Sequence, residues 1–485
     1  MGVVFFKDGG ILATVIVTKG VRTMTLLVFF VGVFLLITIL IGVTQTRGIK
    51  TFEDFALSKG FFGKPAILFT IVASFVGGGA VMGTANESFS TGIVYVVGLS
   101  GFALQLLVTG ILIVPRLQRF GSALSLGDIV RQAYGKKVQM LVGVFWLVFC
   151  TGIIAVQIKS LGVLFNLFLP FGAHFNALIG AVVVIGYCAL GGVRAVVATD
   201  MVQFIMMVIA LPILLFFSLE AVGGIEGFLL KVPQGFLSLP GNASWLQIIT
   251  LFLSFFLADA LIPPVMQRIL MVRQTAHALW GYVAASVITL GLVGMAGMFG
   301  MIARILNPLL IPTGTISYLI QTVLPFWGIV IVIFGMIAVI MSSADSYLNS
   351  AAVALVQDIL KPLKQNRLSR RSLLSLGKLT TFIIGLCAFF VASAGQGILS
   401  LLLYTFKFWG PVVLPQIVAI FFSRKCYPQS FSLACIVGAI VVVGWEVFAL
   451  EPISHMDSLI PGILVNGIVY KIIHSHLSKK EKKRA

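Results

Sequence analysis

Six polar residues occupy nine consecutive positions in this chain. Ser342, Ser343, Asp345, Ser346, Asn349 and Ser350 close an apolar run that begins "FWGIVIVIFGMIA". At 100° per residue they share one arc of a helix, about 160° wide, with Met341, Ala344 and Leu348 turned away. Hydroxyls and a carboxylate are hard oxygen donors that suit a hard cation, sodium above all, rather than a soft metal. The competing use of such a stripe is interhelical hydrogen bonding between helices in lipid.

A second cluster lies in "GGVRAVVATDMVQF", Gly191 to Phe204. Asp200 in it either adds a carboxylate to a second cation site beside the serine stripe or, with Thr199, caps a helix start. Lys407, in "LLYTFKFWGP", is an intramembrane charge and so a functional candidate. Its three roles are to neutralise a solute carboxylate, to pair with Asp259, or to snorkel to the interface. Lys159 is a similar case nearer a helix end. Glu87 is a gate residue or an interfacial one. The five cysteines are scattered and the five histidines sit at span ends or in loops, so neither a disulfide framework nor a metal-ligand spacing is present.

These residues must be held by membrane helices. Of 485 residues, 59% are hydrophobic and only 10% charged, against about 25% charged in ordinary globular chains. Apolar runs of spanning length recur from end to end. The pattern predicts thirteen spans, near 24–44, 66–89, 93–114, 138–168, 174–190, 197–219, 246–262, 277–303, 325–357, 375–394, 397–422, 430–450 and 457–474. Residues 1–23 hold only a short apolar patch, and Met24 is an alternative start. Residues 24–65 form a peripheral helix and loop. Residues 423–485 form two further helices and a basic tail.

Lysine and arginine placement sets the orientation. With the N-terminus outside, 26 of the 33 lie in cytoplasmic segments, Arg268 and Arg273 among them, and five lie outside. The C-terminus is then cytoplasmic. The net charge of +18 is explained by these loops, the tail "SKKEKKRA" and anionic lipid headgroups, so nucleic acid is not the expected partner. A bacterial inner membrane fits.

Two spans are interrupted. Gly77, Gly78, Gly79 and Gly83 weaken the second, and Pro263 with Pro264 disrupt the seventh. Interrupted helices in corresponding places of two halves mark a transporter core. Five spans separate them, which predicts two inverted repeats, 66–219 and 246–422.

"GGVRAVVATDMVQ", "SSADSYLNS" with the later Asp358, and "PPVMQRILMVRQTAHA" together resemble the sodium:solute symporter family over about Ser58–Phe422. The resemblance implies an all-α membrane fold with the five-plus-five inverted-repeat core of the leucine-transporter type, one helix before it and two after. It implies a sodium site built from the hydroxyls of Ser342 and Ser343 and the carbonyls of Val339, Ala73 and Val76. It implies a second cation position at Asp200 with Ser342, Ser346 and Asp345. It places the solute between the broken helices, bordered by Gly77, Gly78, Gly79, Phe255 and Asp259, with Lys407 as a further candidate. The three glycines depart from bulkier residues common in the family, and the solute is not named by the sequence.

The expected function is sodium-coupled symport of a small organic solute by alternating access, with the lipid bilayer as the other partner. Proton-coupled symport and a solute sensor of the same fold are the alternatives. Nucleophile elbows, phosphate loops and metal spacings of enzymes are absent from the sequence.

Overall fold

The computed structural model describes residues 21–482 other than 242, 259, 365–368 and 395–396. The expected N-terminal segment therefore lies almost wholly outside the described residues, and so does Asp259. Every regular element among the described residues is helical.

The elements that matter are α1 (Val21–Thr44), α2 (Lys64–Phe75), α3 (Gly78–Thr91), α4 (Ile93–Leu117), α5 (Lys136–Phe165), α6 (His174–Gly186), α7 (Gly191–Val222), α8 (Trp245–Leu257), α9 (Pro263–Leu270), α10 (Thr275–Leu306), α11 (Phe326–Leu363), α12 (Arg371–Ala392), α13 (Ile398–Phe406), α14 (Gly410–Phe422), α15 (Pro428–Val447) and α16 (Leu459–Lys482). Eight of them are long and apolar enough to cross a membrane, and ten spans result when each bent pair counts as one. The other three predicted spans fall on α6, α8 and α16. The first two are short, and the last ends in Lys479, Lys480 and Lys482.

Burial sorts these helices. In α11, 72% of the apolar window is buried inside the protein, against 28% in α1. From Gly335 to Ala354 every α11 residue is buried. A helix buried all round is a core element. The serine stripe therefore faces protein on every side, which removes the lipid that would penalise it.

Three helices break. Between α2 and α3 the chain bends by 50°, with Val76 (φ −91°, ψ 90°) and Gly77 (φ −101°, ψ 179°) extended. Between α8 and α9, Leu261 takes a left-handed φ of 56° and Ile262 is extended. Here the structure refines the sequence expectation. Pro263 and Pro264 start α9 rather than interrupt α8, because proline is tolerated in a first turn whose N–H groups lack helical partners. The third break was not expected. The predicted span 397–422 bends by 45° at Lys407–Trp409, where Gly410 and Pro411 begin a new helix.

Candidate functional site

The break after α2 frees carbonyls. In a continuous helix Ser74 O would accept from the N–H of Gly78. That N–H instead donates to Gln157 Oε1 of α5 at 2.9 Å. The freed carbonyls face α11. Ser342 Oγ donates to Ala73 O at 2.8 Å and to Val339 O at 3.2 Å. Ser343 Oγ lies 3.4 Å from Ala73 O and 3.2 Å from Ser74 O. Five oxygens from two helices thus converge at one buried point. Hydroxyls rotate, so both can turn their lone pairs to a cation there.

Four of the five residues expected around sodium are brought together: Ala73, Val339, Ser342 and Ser343. Val76 sits in the break itself, and the contact expected of its carbonyl is made by that of Ser74. Sequence reasoning missed Ser74, which looks like any small residue within a span.

Close approach is the reason for the glycines. A Cβ on Gly77 would fall 2.6 Å from Ser343 Oγ and 2.9 Å from Gln157 Nε2. One on Gly78 would fall 2.7 Å from Ile340 Cγ1. Gly79 is less tight, at 3.2 Å from Leu402 Cδ2 and Val156 Cγ1.

The expected second cation group is only partly assembled. Asp200 and Ser346 do meet, around the guanidinium of Arg268. Arg268 Nη2 lies 3.6 Å from Asp200 Oδ2 and donates to Ser346 Oγ at 2.6 Å and to Ser74 Oγ at 3.0 Å. Its Nε donates to Thr70 Oγ1 at 2.8 Å, and Thr70 Oγ1 donates in turn to Asp200. Asp345 is turned toward Thr199, whose Oγ1 lies 3.4 Å from its Oδ2. Ser342 belongs to the first group. The positive charge among Asp200, Ser74 and Ser346 is the Arg268 side chain.

Arg268 corrects its sequence assignment as well. It was counted with the cytoplasmic loops, yet it is 1% exposed and lies in α9. The helix-start reading of Thr199 and Asp200 also fails. Both lie inside α7, whose turn comes earlier at Gly192 (φ 52°). Thr199 Oγ1 donates back to Ala195 O and Val196 O.

The expected solute residues separate into two groups. Gly77–Gly79 lie at the α3 start. Between the end of α2 and α9 a cavity lined by Ser74, Phe75, Ile262, Arg268 and Tyr347 has about 10 Å³, roughly the room one water needs. Phe255 lies in an aromatic layer, with ring centroids 5.1 Å from Phe102 and 5.6 Å from Tyr95. Lys407 is paired with carboxylates other than Asp259, which lies outside the described residues. Its Nζ lies 2.5 Å from Glu446 Oε1 and 3.7 Å from Asp457 Oδ2, far along the chain from the broken helices. Asp358 fastens the end of α11 to the short helix Leu126–Tyr134, accepting from Ser125 Oγ at 2.5 Å and Gln139 Nε2 at 3.2 Å.

Comparison with known proteins identifies the family and the fold. The family model of the sodium:solute symporter family matches residues 55–438. The high-affinity proline transporter PutP of Bacillus subtilis is 25% identical over 445 residues, covering 87% of this chain and 92% of that protein. A sodium/proline symporter of Staphylococcus aureus is 24% identical over 485 residues, covering 93% and 92%. Among solved structures, a substrate-bound, outward-open Na+-coupled sialic acid symporter, described as revealing a novel Na+ site, superposes with a TM-score of 0.81 at 17% identity, covering 93% of this chain and 96% of its own. The fold is thus the all-helical transporter fold that the broken helices imply. With the family model spanning most of its length, the chain belongs to the sodium:solute symporter family, membrane transporters that couple a small solute to sodium.

Proposed function

We propose that transport is driven by one sodium ion held by the carbonyls of Ala73, Ser74 and Val339 and the hydroxyls of Ser342 and Ser343, with the Val76 carbonyl beside them. One observation carries this reading: the freed carbonyls of α2 already lie within hydrogen-bonding reach of both α11 hydroxyls. Sodium would join α2 to α11, and the solute would bind between the α3 start and α9 once the centre opens. Arg268 supplies fixed positive charge at the second position, which supports one coupled ion rather than two. The solute is a small organic molecule. Proline, named for two relatives, is the first to screen.

The lysine and arginine distribution supports an outside N-terminus, a cytoplasmic C-terminus and thirteen crossings in a bacterial plasma membrane. The breaks at α2–α3 and α8–α9 support the repeats 66–219 and 246–422, flanked by 24–65 and 423–485.

The test is the melting temperature of the purified protein in sodium against potassium at constant ionic strength, for the parent and for Ser342→Ala/Ser343→Ala. A ligand at 100 times its dissociation constant stabilises by about 2.7 kcal/mol. The expected result is a sodium-specific rise that the double variant loses. A rise that persists in the variant, or no difference between the ions in the parent, would refute this site.

A further inference from the structure

A second cavity, of about 430 Å³, lies at the end of the bundle away from the basic loops, the outer end in the orientation proposed above. Small-molecule sites span about 300–1,000 Å³, so its size suits a compact ligand. One wall is a single face of α8, where Gln247, Thr250, Ser254 and Phe255 recur at helical spacing. The floor is aromatic. Phe255 and Phe406 meet edge to face with centroids 6.3 Å apart, and Phe102 packs beneath them and against Phe75 at the end of α2. This layer separates the cavity from the sodium oxygens. The rim is the segment joining α15 to α16, which contributes Glu451, His455 and Asp457.

The charges at the rim do not balance. Glu446, Glu451 and Asp457 gather around one cation, Lys407, whose Nζ is engaged by Glu446 at 2.5 Å and Asp457 at 3.7 Å. Glu451 lines the cavity with no ion-pair partner among the described residues. Partial desolvation where the side chain lines the cavity, and then the nearby Asp457 and Glu446 carboxylates against the opposing pull of Lys407, push the Glu451 carboxyl above its ordinary value. That is the direction expected where negative charge is in excess.

An independent feature points the same way. Ser254 is 7% exposed and lines the cavity, yet its Oγ has no hydrogen-bond partner among the described residues. One turn earlier, the Thr250 hydroxyl is satisfied by the carbonyls of Leu246 at 2.9 Å and Gln247 at 3.1 Å. Buried hydroxyls are ordinarily paired, so Ser254 offers an unused polar group to whatever enters.

We propose that this cavity is a binding site for an organic ammonium ion, its protonated amine at the Glu451 and Asp457 carboxylates and its apolar body on Phe255 and Phe406, with Ser254 Oγ taking a polar group of the ligand. The aromatic floor adds attraction for a cation held within about 6 Å of a ring. The site lies outside the sodium oxygens and binds whether or not they are intact.

The test uses the full chain in phosphatidylcholine nanodiscs, in potassium buffer at neutral pH, titrated calorimetrically with phenethylammonium, 2-phenylethanol and 3-phenylpropionate. The expected result is saturable binding of the ammonium at one per chain, with the neutral and anionic probes weaker by about fivefold to tenfold or more, the effect of one close charge pair near water. Glu451→Gln, an exposed position, should weaken the ammonium by a similar factor while leaving the melting temperature unchanged. Asp457→Asn, which keeps an oxygen for the Leu459 N–H, should do the same. Ser342→Ala/Ser343→Ala should leave the affinity unchanged, so a failure of the sodium reading stays distinguishable from a failure here. Equal binding of the three probes, undiminished binding to Glu451→Gln, or no saturable binding into the millimolar range would each overturn the proposal.

Discussion

Arg268→Ala is the perturbation that most directly probes the centre of this protein. In the parent, one guanidinium is paired with Asp200 at 3.6 Å and donates to Ser346, Ser74 and Thr70 at 2.6, 3.0 and 2.8 Å. The arginine is 1% exposed and Asp200 is 0% exposed. Removing one partner of a buried pair leaves the other charge uncompensated and costs about 3–5 kcal/mol. The variant should therefore melt well below the parent in potassium. Removing the carboxylate as well, in Arg268→Ala/Asp200→Ala, should recover part of that loss, with an interaction energy of about 0.5–3 kcal/mol between the two sites.

The sodium response carries the sharper consequence. Without the guanidinium, the hydroxyls of Thr70, Ser74 and Ser346 and the Asp200 carboxylate surround one space, and all are hard oxygens suited to sodium. Arg268→Ala should bind two sodium ions where the parent binds one, and the sodium-specific stabilisation should roughly double, from about 2.7 to about 5 kcal/mol at 100 times each dissociation constant. Equilibrium dialysis with radioactive sodium gives the stoichiometry, and melting in sodium against potassium gives the stabilisation. Adding Asp200→Ala should return the count to one. A variant as stable as the parent in potassium would show that Arg268 does not compensate a buried charge. A count that stays at one in Arg268→Ala would show that the second position does not take a cation even when vacated.

Two further outcomes are expected. Gly77→Ala places a methyl 2.6 Å from Ser343 Oγ, an overpacking worth about 1–3 kcal/mol, and should weaken sodium about tenfold or more in a melting titration, whereas Gly79→Ala meets only flexible side-chain ends at 3.2 Å and should leave sodium affinity near the parent; equal effects would refute the close-approach argument. Burial raises the Asp54 carboxyl, but Thr51 Oγ1, the Lys50 and Thr51 N–H groups and Arg194 more than offset it and hold its pKa below the ordinary 3.8; its stabilisation is thus present above that value and lost as pH falls through the lowered one, so the melting difference between parent and Asp54→Asn should be steady near neutral pH and shrink below pH 3.8, and a pH-independent difference would contradict the assignment.

Much of this site was legible because its chemistry violates its surroundings. Six polar residues within nine positions of an apolar helix cannot be overlooked, and neither can three glycines in a row where a helix should cross. Both signals are local, so Ser342, Ser343 and the α2–α3 break were found without a structure. What stayed hidden depends on where a helix goes. Arg268 lies in a segment that a count of positive charges assigns to a loop, and only the position of α9 after its break turns it inward. Ser74 has no distinguishing type, and its role follows from the register of α2 against α11. The bend at Lys407–Trp409 leaves hydropathy unchanged, so an apolar window passes over it. Lys407 itself looked functional for its charge, yet its partners Glu446 and Asp457 come from beyond the core, from α15 and the segment before α16, which spacing within one span cannot reveal.

The proposed sodium site and Arg268 would hold α2 to α11 in two different ways, and that difference would explain how sodium can matter. The guanidinium of Arg268 joins α9 to Thr70 and Ser74 of α2, to Asp200 of α7 and to Ser346 of α11. It is covalently part of the chain and present in every state. Sodium at the proposed site of Ala73, Ser74, Val339, Ser342 and Ser343 would join only α2 and α11, and only when bound. A ligand shifts a conformational equilibrium by no more than its differential affinity for the two states. If motion separates α2 from α11, sodium loses its ligands on one side and its whole binding energy opposes that separation. Arg268 can keep its bonds to α2 and give up those to Asp200 and Ser346, so its contribution is partial. On this proposal the ion would set the larger difference between states, and the arginine the baseline against which the ion acts. Neutralising Arg268 should accordingly raise sodium-independent opening, read as faster labelling of a cysteine placed at Gly79 in potassium, while Ser342→Ala/Ser343→Ala should abolish the protection that sodium gives that cysteine. Labelling that is equally slow in potassium with and without Arg268 would mean that the guanidinium does not restrain the separation at all.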